Sequence, residues 1–551
     1  MPVFELRLAD PLGLPKIFPC ARPHSNIQFN HTHYDQCRPL ARIFSQCRSF
    51  GFQTLIIEKI GSVGISKDDD EELNKNITDF SSPELHRLSF FRDPVSEHNE
   101  IVNISTNSFL GYAILKRFKI NNKFTKWKVF ESILRGSGHS NNYIHAAKLF
   151  EVAINRSKFK VRGFLYSQQN GVTNSCAHVA IRSVLSALLP DHEISYKTIN
   201  DYLADKGIPH QIIDGKSNGL NMEQIRSVIE SFGFSSYEGL YNYAHGKGPS
   251  LPANAERFLY GKGPNFPFQR ILYGSIESGL PALLAYSFQE DNGETDGHVI
   301  PVFGHTFNQD MWGPNADMSY FKIEKDRRYV PSESWVSSYV GHDDNFGSNF
   351  CIPRRYPSEE DVQRIHVLGI LPSDCKCNPI QAEAVAIEYL YRIAPHIVVK
   401  NKEHSLWSQK LKETDKSWIV LRPILLDATQ YIQHLKDIQG WKSECIEKRI
   451  ITILENRMKG KFWMVEVSYP ELFPANRRKL GEILLRADVP PALPPNYQSF
   501  FLARLPERLY GYVLKSEKME ITSYLSGIDD HVPVFSWDKN LDVQELRGID
   551  S

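Results

Sequence analysis

Residues 163–189 read GFLYSQQNGVTNSCAHVAIRSVLSALL, a polar, glycine-containing loop that runs straight into an amphipathic helix. Val179, Ala180, Val184 and Leu188 recur at helical spacing after Ser175 and Cys176, and Pro190 stops the pattern. Cys176 therefore opens a helix, where unpaired backbone N–H groups and the macrodipole favour negative charge. The thiolate is the reactive form of cysteine, so the position suits a nucleophile. A nucleophile also needs a proton partner and donors for the oxyanion that forms on the attacked carbonyl. Gln168 or Gln169 can bring a side-chain amide beside the Cys176 backbone N–H, giving two donors. His178, two residues along the helix, points away from Cys176.

The proton partner is sought downstream. Helices are expected at Tyr196–Lys206, at Met222–Phe232 with Asn221 as N-cap, and at Arg270–Glu277 before Gly279. A hairpin follows, built from Ala282–Phe288, a turn over Asp291–Gly297, and His298–Phe307. His298 begins the second strand, 122 positions after Cys176. Alternation puts His298, Ile300 and Val302 on one face and Val299, Phe303 and His305 on the other, so one site cannot use both histidines. A base belongs at a strand end facing a cleft, which selects His298 and leaves His305 a structural role. Asp343, Asp344 and Asn345, in the run Tyr339-Val-Gly-His-Asp-Asp-Asn-Phe-Gly347, offer a group to orient the imidazole. Asp310, Asn315 and Asp317 compete for that role.

This order of motifs resembles the papain-like cysteine peptidases, and within them the branch that trims bacteriocin leader peptides. The residues that carry the likeness are Gln168-Gln169, Asn174-Ser-Cys176-Ala, Gly279-Leu-Pro281-Ala-Leu-Leu, Gly297-His298-Val-Ile-Pro-Val-Phe-Gly304 and His342-Asp343-Asp344-Asn345-Phe-Gly347. The likeness covers roughly 200 residues and implies an α+β papain-like domain, its nucleophile helix packed on an antiparallel sheet. It implies Cys176 as nucleophile, His298 as base, Asp343 or Asp344 as the orienting acid, and Gln169 or Gln168 in the oxyanion hole. The family's Asp-Pro step is here Asp343-Asp344, so the choice of acid stays open. The 45 positions from His298 to Asp343 imply an insertion around Asn308–Tyr339, and the glutamine-to-cysteine spacing of seven or eight is slightly long, with Asn170 at the usual place.

The whole chain has 551 residues, too many for one ordinary domain at about 150 residues each. Three consecutive domains are expected: mixed α/β at 1–160, the peptidase-like domain at 161–372, and an accessory mixed α/β domain at 373–551. In the first, Tyr34–Phe50 is expected as a helix, Thr54–Lys59 and Tyr112–Lys119 as strands, and the acidic run within Ser66–Asp79 as a solvated loop. In the last, Gln381–Ile393 is expected as a helix, Phe462–Val467 as a strand, and Ala475–Arg486 as a basic amphipathic helix.

Lys+Arg and Asp+Glu both total 64, which lacks the basic footprint of a nucleic-acid binder. No apolar run reaches the roughly 18 residues of a membrane span. Eight scattered cysteines argue against a disulfide scaffold. The group Cys20, His24, His31, His33 and Cys37 fits no standard metal spacing, so no metal or other cofactor is expected. There is no G-x-S-x-G elbow, H-E-x-x-H or EF-hand pattern. The expectation is a cytoplasmic cysteine peptidase or isopeptidase acting on a protein or peptide, with a protein partner on its flanking domains. The alternatives are a deamidase or transglutaminase-type acyltransferase with the same triad, and a non-catalytic scaffold with a degenerate peptidase fold.

Overall fold

Strands rich in β-branched and aromatic residues dominate the fold, which is mixed α+β with mostly antiparallel sheets. The computed structural model describes residues 4–5, 16–19, 34, 37–61, 64–75, 77, 79–136, 142–144, 147–155, 157–173, 175–189, 192–208, 219–242, 267–289, 295–307, 329–354, 356–357, 362–399, 406–414, 418–437, 448–473, 478–492, 498–515, 518–525 and 534–536. Three consecutive domains are a division along the chain; the contacts of the folded chain group it into two compact units. One comprises Met1–Phe232, Gly279–Gly304 and Tyr339–Pro357, the other Gly233–Ser278, His305–Ser338 and Ser358–Ser551. Among the described residues no helix is long and apolar enough to cross a membrane.

In the first unit the helix Arg38–Ser49 buries Leu40, Ile43, Phe44 and Cys47, one face at helical spacing. It packs with Ala113 and Leu115 from the central strand Phe109–Ile120. The opposite face of that strand presents Tyr112 and Ile114 to a core that includes Val152 and Phe159, from the antiparallel hairpin Lys148–Ile154 and Ser157–Gly163. Coverage on both sides explains why the first eight positions of the central strand are all buried.

The acidic run is not the expected loop. It lies in a helix, Ile65–Asn74, that buries Asp69, Asp70 and Glu72. Lys116 pairs with Asp70 at 2.7 Å and donates to the Ser66 hydroxyl, and the Asn200 amide donates to Glu72 at 3.1 Å. Paired charge makes the burial tolerable.

The Cys176–Leu188 helix packs Ala187 against Phe164, Phe303 and Val340. Phe303 and Val340 come from neighbouring strands, Thr295–Phe307 and Val336–Asp343, which lie in the order Ala282–Gln289, Thr295–Phe307, Val336–Asp343, Gly347–Pro353. One helix is thereby fixed to the strands that carry His298 and Asp343.

In the second unit Phe234–Asn242 pairs with Arg364–Pro372 in antiparallel register. A seven-stranded sheet runs Tyr329–Pro331, Ile419–Asp427, Lys461–Ser468, Gly481–Arg486, Phe500–Leu505, Arg508–Lys515 and Lys518–Leu525. The helix expected over Ala475–Arg486 is instead the strands Arg478–Lys479 and Gly481–Arg486. Residues from Leu480 through Leu485 are all buried, and Gly481–Arg486 is hydrogen-bonded to a strand on each side, which overrides a helical pattern.

The register of this sheet aligns Arg422 with Glu466, Glu466 with Glu482, and Glu482 with Arg504. All four are buried. Two carboxylates facing each other repel, but Lys479 lies between them, 2.7 Å from Glu466 and 3.3 Å from Glu482. Arg422 also pairs with Glu277, which bonds the buried His305 at 2.5 Å. His305 thus sits in a structural ion-pair network.

Candidate active site

The loop before Cys176 is held by its own side chains. Asn170 Oδ1 accepts from the N–H groups of Val172 (2.8 Å) and Thr173 (2.9 Å), and its amide donates to Thr173 Oγ1 at 3.0 Å. Gly171, at φ +72°, supplies the left-handed step this tight turn needs. Asn170 therefore shapes the chain between the glutamines and the helix. Ser175 is the N-cap and Cys176 the first helical residue.

The two glutamines part company. Gln168 Oε1 accepts from the Val129 N–H at 3.0 Å and from the Cys37 thiol at 3.7 Å, which ties it to the scaffold. Gln169 lies close enough to Asp344 to lower its pKa, though neither Asp344 oxygen has a hydrogen-bond partner among the described residues.

His298 lies opposite Tyr286 in the hairpin, and the two rings meet edge to face at 5.6 Å. Tyr286 is held in turn by a 3.1 Å hydroxyl contact with Tyr356. His298 Nε2 is 3.4 Å from Asp343 Oδ2 and 3.3 Å from Asp344 Oδ1, and the Cys176 side chain is close enough to raise the ring's pKa. His298 Nε2 makes no well-aligned hydrogen bond among the described residues, so both separations are ionic approaches. Cys176, His298, Asp343, Asp344 and Gln169 thus converge within the first unit. His178 belongs to another surface, where its Nε2 meets Asn200 Oδ1 at 2.8 Å.

The local charges separate the two acids. Burial works against a charged His298. The close approach of Asp343 and Cys176 and the charges of Asp344 and Asp343 outweigh it, and push the pKa up to about 11. His298 is therefore an imidazolium at neutral pH. The stability its charge contributes is full below the unfolded value near 6.5 and declines as pH rises toward 11.

Asp343 Oδ1 accepts from the N–H groups of Asn345 (2.8 Å) and Phe346 (3.0 Å), leaving Oδ2 for the histidine. Burial would raise the Asp343 pKa, but His298 and these two N–H groups bring it below the usual carboxylate value. Asp344 is moved the other way, chiefly by burial. Asp343 is consequently the firmly ionised partner.

An NMR titration tests this split. The wild-type His298 ring should not titrate between pH 5 and 9, whereas Asp343→Asn should bring its transition down into that range. Asp344→Asn should lower it less; a larger drop in that variant would reverse the assignment.

Sequence reasoning missed the support behind Asp343. His342 donates from Nε2 to the Phe164 carbonyl at 3.1 Å and accepts at Nδ1 from the Asn349 N–H at 3.0 Å. Burial lowers its pKa to about 3, so it is a neutral bracket for the turn. A histidine next to the candidate acid in a strand was the available signal, since alternation sends the two side chains to opposite faces.

The ligand atoms of His298, Asp343 and Asp344 all lie within 4.8 Å of one another, so these are the residues that could hold a divalent cation. Residues 308–328 of the expected insertion, with Asp310, Asn315 and Asp317, lie outside the described residues, as do Cys20, His24, His31 and His33. Searches against protein-family models and against curated proteins find no match to this chain.

Proposed function

We propose that this chain is a papain-like thiol hydrolase that attacks a peptide or isopeptide carbonyl through an acyl-thioester. The carrying observation is the meeting of Cys176, at a helix start, with a charged His298 backed by Asp343. Cys176 Sγ adds to the carbonyl carbon, and the oxyanion is received by the Cys176 N–H and the Gln169 amide. His298 gives its proton to the departing amine, leaving the acyl group on sulfur. Water, deprotonated by His298, then cleaves the thioester; Asp343 keeps the ring oriented throughout. Attack by an amine instead of water makes the same residues an acyltransferase, and a primary amide substrate makes them a deamidase. The chemistry calls for no cofactor. A cytoplasmic location and a protein partner on the parts outside the site accompany this reading.

One observation favours a second reading. The Gln169 amide lies near the Asp344 carboxylate, which competes with an oxyanion for it. That suits a scaffold that has kept the fold of a peptidase and lost its activity. Iodoacetamide separates the two. Cys351 is exposed and Cys176 only partly so, while Cys37, Cys47, Cys375 and Cys377 are buried. An activated Cys176 should be alkylated faster than Cys351 despite its lower exposure, with the fast label absent from Cys176→Ala. If Cys351 reacts first, the scaffold reading stands.

A further inference from the structure

The polar segment 168–175 has a second side. A cleft with a volume of about 60 Å³ is lined by Gln168 and Ser175, each the residue just before a candidate site residue. Its wall includes the apolar side chains Leu73, Phe118 and Phe130, and Asp69 contributes a carboxylate. The buried polar atoms there without a hydrogen-bond partner among the described residues include one on Asp69 and one on Ser175.

The first is Asp69 Oδ2. Asp69 is 5% exposed, and its other oxygen accepts from the Tyr196 N–H at 2.9 Å. The second is Ser175 Oγ, on a residue 3% exposed. Serine at an N-cap normally accepts a backbone N–H of the first turn. Ser175 holds the N-cap position and makes no such bond. Its hydroxyl and the Asp69 oxygen are buried polar groups without the partner that burial demands.

The surrounding charges specify the missing partner. Lys116 pairs with Asp70, Arg182 with Glu131 at 2.8 Å, and Lys75 with Glu72 at 2.8 Å. Asp69 is the acid left over from this one-to-one matching. Lys128, also on the lining, is partly exposed and so keeps its hydration. The apolar wall already accommodates a cation, since Lys116 Nζ lies 5.3 Å from the Phe118 ring centre and 4.8 Å from that of Phe130.

We propose that this cleft binds an aliphatic ammonium group. The cation meets the Asp69 carboxylate and donates a second hydrogen bond to the Ser175 hydroxyl, while the methylene stem lies along Leu73, Phe118 and Phe130. A free alkylamine and a lysine side chain of a peptide share this chemistry. The inference goes beyond the proposed reaction and does not require it.

Binding is measured at equilibrium in Cys176→Ala protein, so the outcome is independent of whether the thiol is catalytic. The probes are n-hexylamine, Nα-acetyl-lysine N-methylamide and n-hexanol, followed by calorimetry and by chemical-shift changes. One or both amines should bind and hexanol should not: hexylamine alone identifies a free-amine site, the lysine derivative alone a peptide side-chain site. Adding Asp69→Asn, which keeps the acceptor for Tyr196, should weaken amine binding about tenfold or more. Adding Ser175→Ala should weaken it a few-fold, and it guards against a folding defect in the first variant. Hexanol binding as tightly as the amines, no amine binding, or undiminished binding in both variants overturns the proposal.

Discussion

Replacing His298 with alanine slows acylation of Cys176 by p-nitrophenyl acetate by about 10²–10⁴-fold, the span general acid–base groups contribute. The loss has two sources. The thiol loses the group that takes its proton, and Asp343 and Asp344 lose the cation they share. Both are buried, at 1% and 5% exposure, so little water screens them. Removing the ring therefore takes away both the proton carrier and the counter-charge of two buried acids. Asp343→Asn should fall between wild type and His298→Ala, because the ring remains but loses its firmly ionised partner. A His298→Ala rate within tenfold of wild type, in a variant with native hydrogen exchange, ends the claim that this ring serves the sulfur.

Lys479→Met is expected to cost about 3–5 kcal/mol in the second unit, the range for breaking a buried ion pair on one side only. Lys479 is fully buried between Glu466 and Glu482, which are themselves directly opposed in register. Methionine fills similar volume, so the change isolates charge from packing. With the ammonium gone, Glu466 keeps Arg422 and Glu482 keeps Arg504, yet the two carboxylates repel with nothing between them. Urea midpoints should be read by hydrogen exchange in Lys461–Ser468 and Gly481–Arg486, because a chain with two units need not unfold in one step. A loss under about 1 kcal/mol means that the row tolerates the vacancy and that its charges are not interdependent.

The sequence was most legible where local pattern and environment agree. Thr54–Ile60 and Pro379–Ile393 follow their β-branched and helical patterns closely, the latter with a capping box between Asn378 and Gln381. The Cys176 helix could be read because a polar loop and a proline frame its apolar pattern. Ala475–Arg486 failed because its basic residues mimic the wet face of a helix, whereas Lys479 is an interior counter-ion. The run Asp68–Glu72 failed for the same reason: partners such as Lys116 and Asn200 are remote in sequence, and no local rule anticipates them. At the candidate site, residue types and order were readable, but the separation of Asp343 from Asp344 was not. That distinction depends on the N–H groups of Asn345 and Phe346 turning toward only one of them.

The first unit is completed only by Tyr339–Pro357, after the polypeptide has contributed Gly233–Ser278 and His305–Ser338 to the other. Cys176 precedes Asp343 by 167 positions, so at translation speeds of roughly 5–20 residues per second the ribosome makes the sulfur about 8–33 s before the acid. A nascent chain halted anywhere in that interval carries the thiol without its full retinue, and a stop codon there yields a fragment lacking the finished cluster. Maturation of the site is thereby deferred until the message has been read through Asp343.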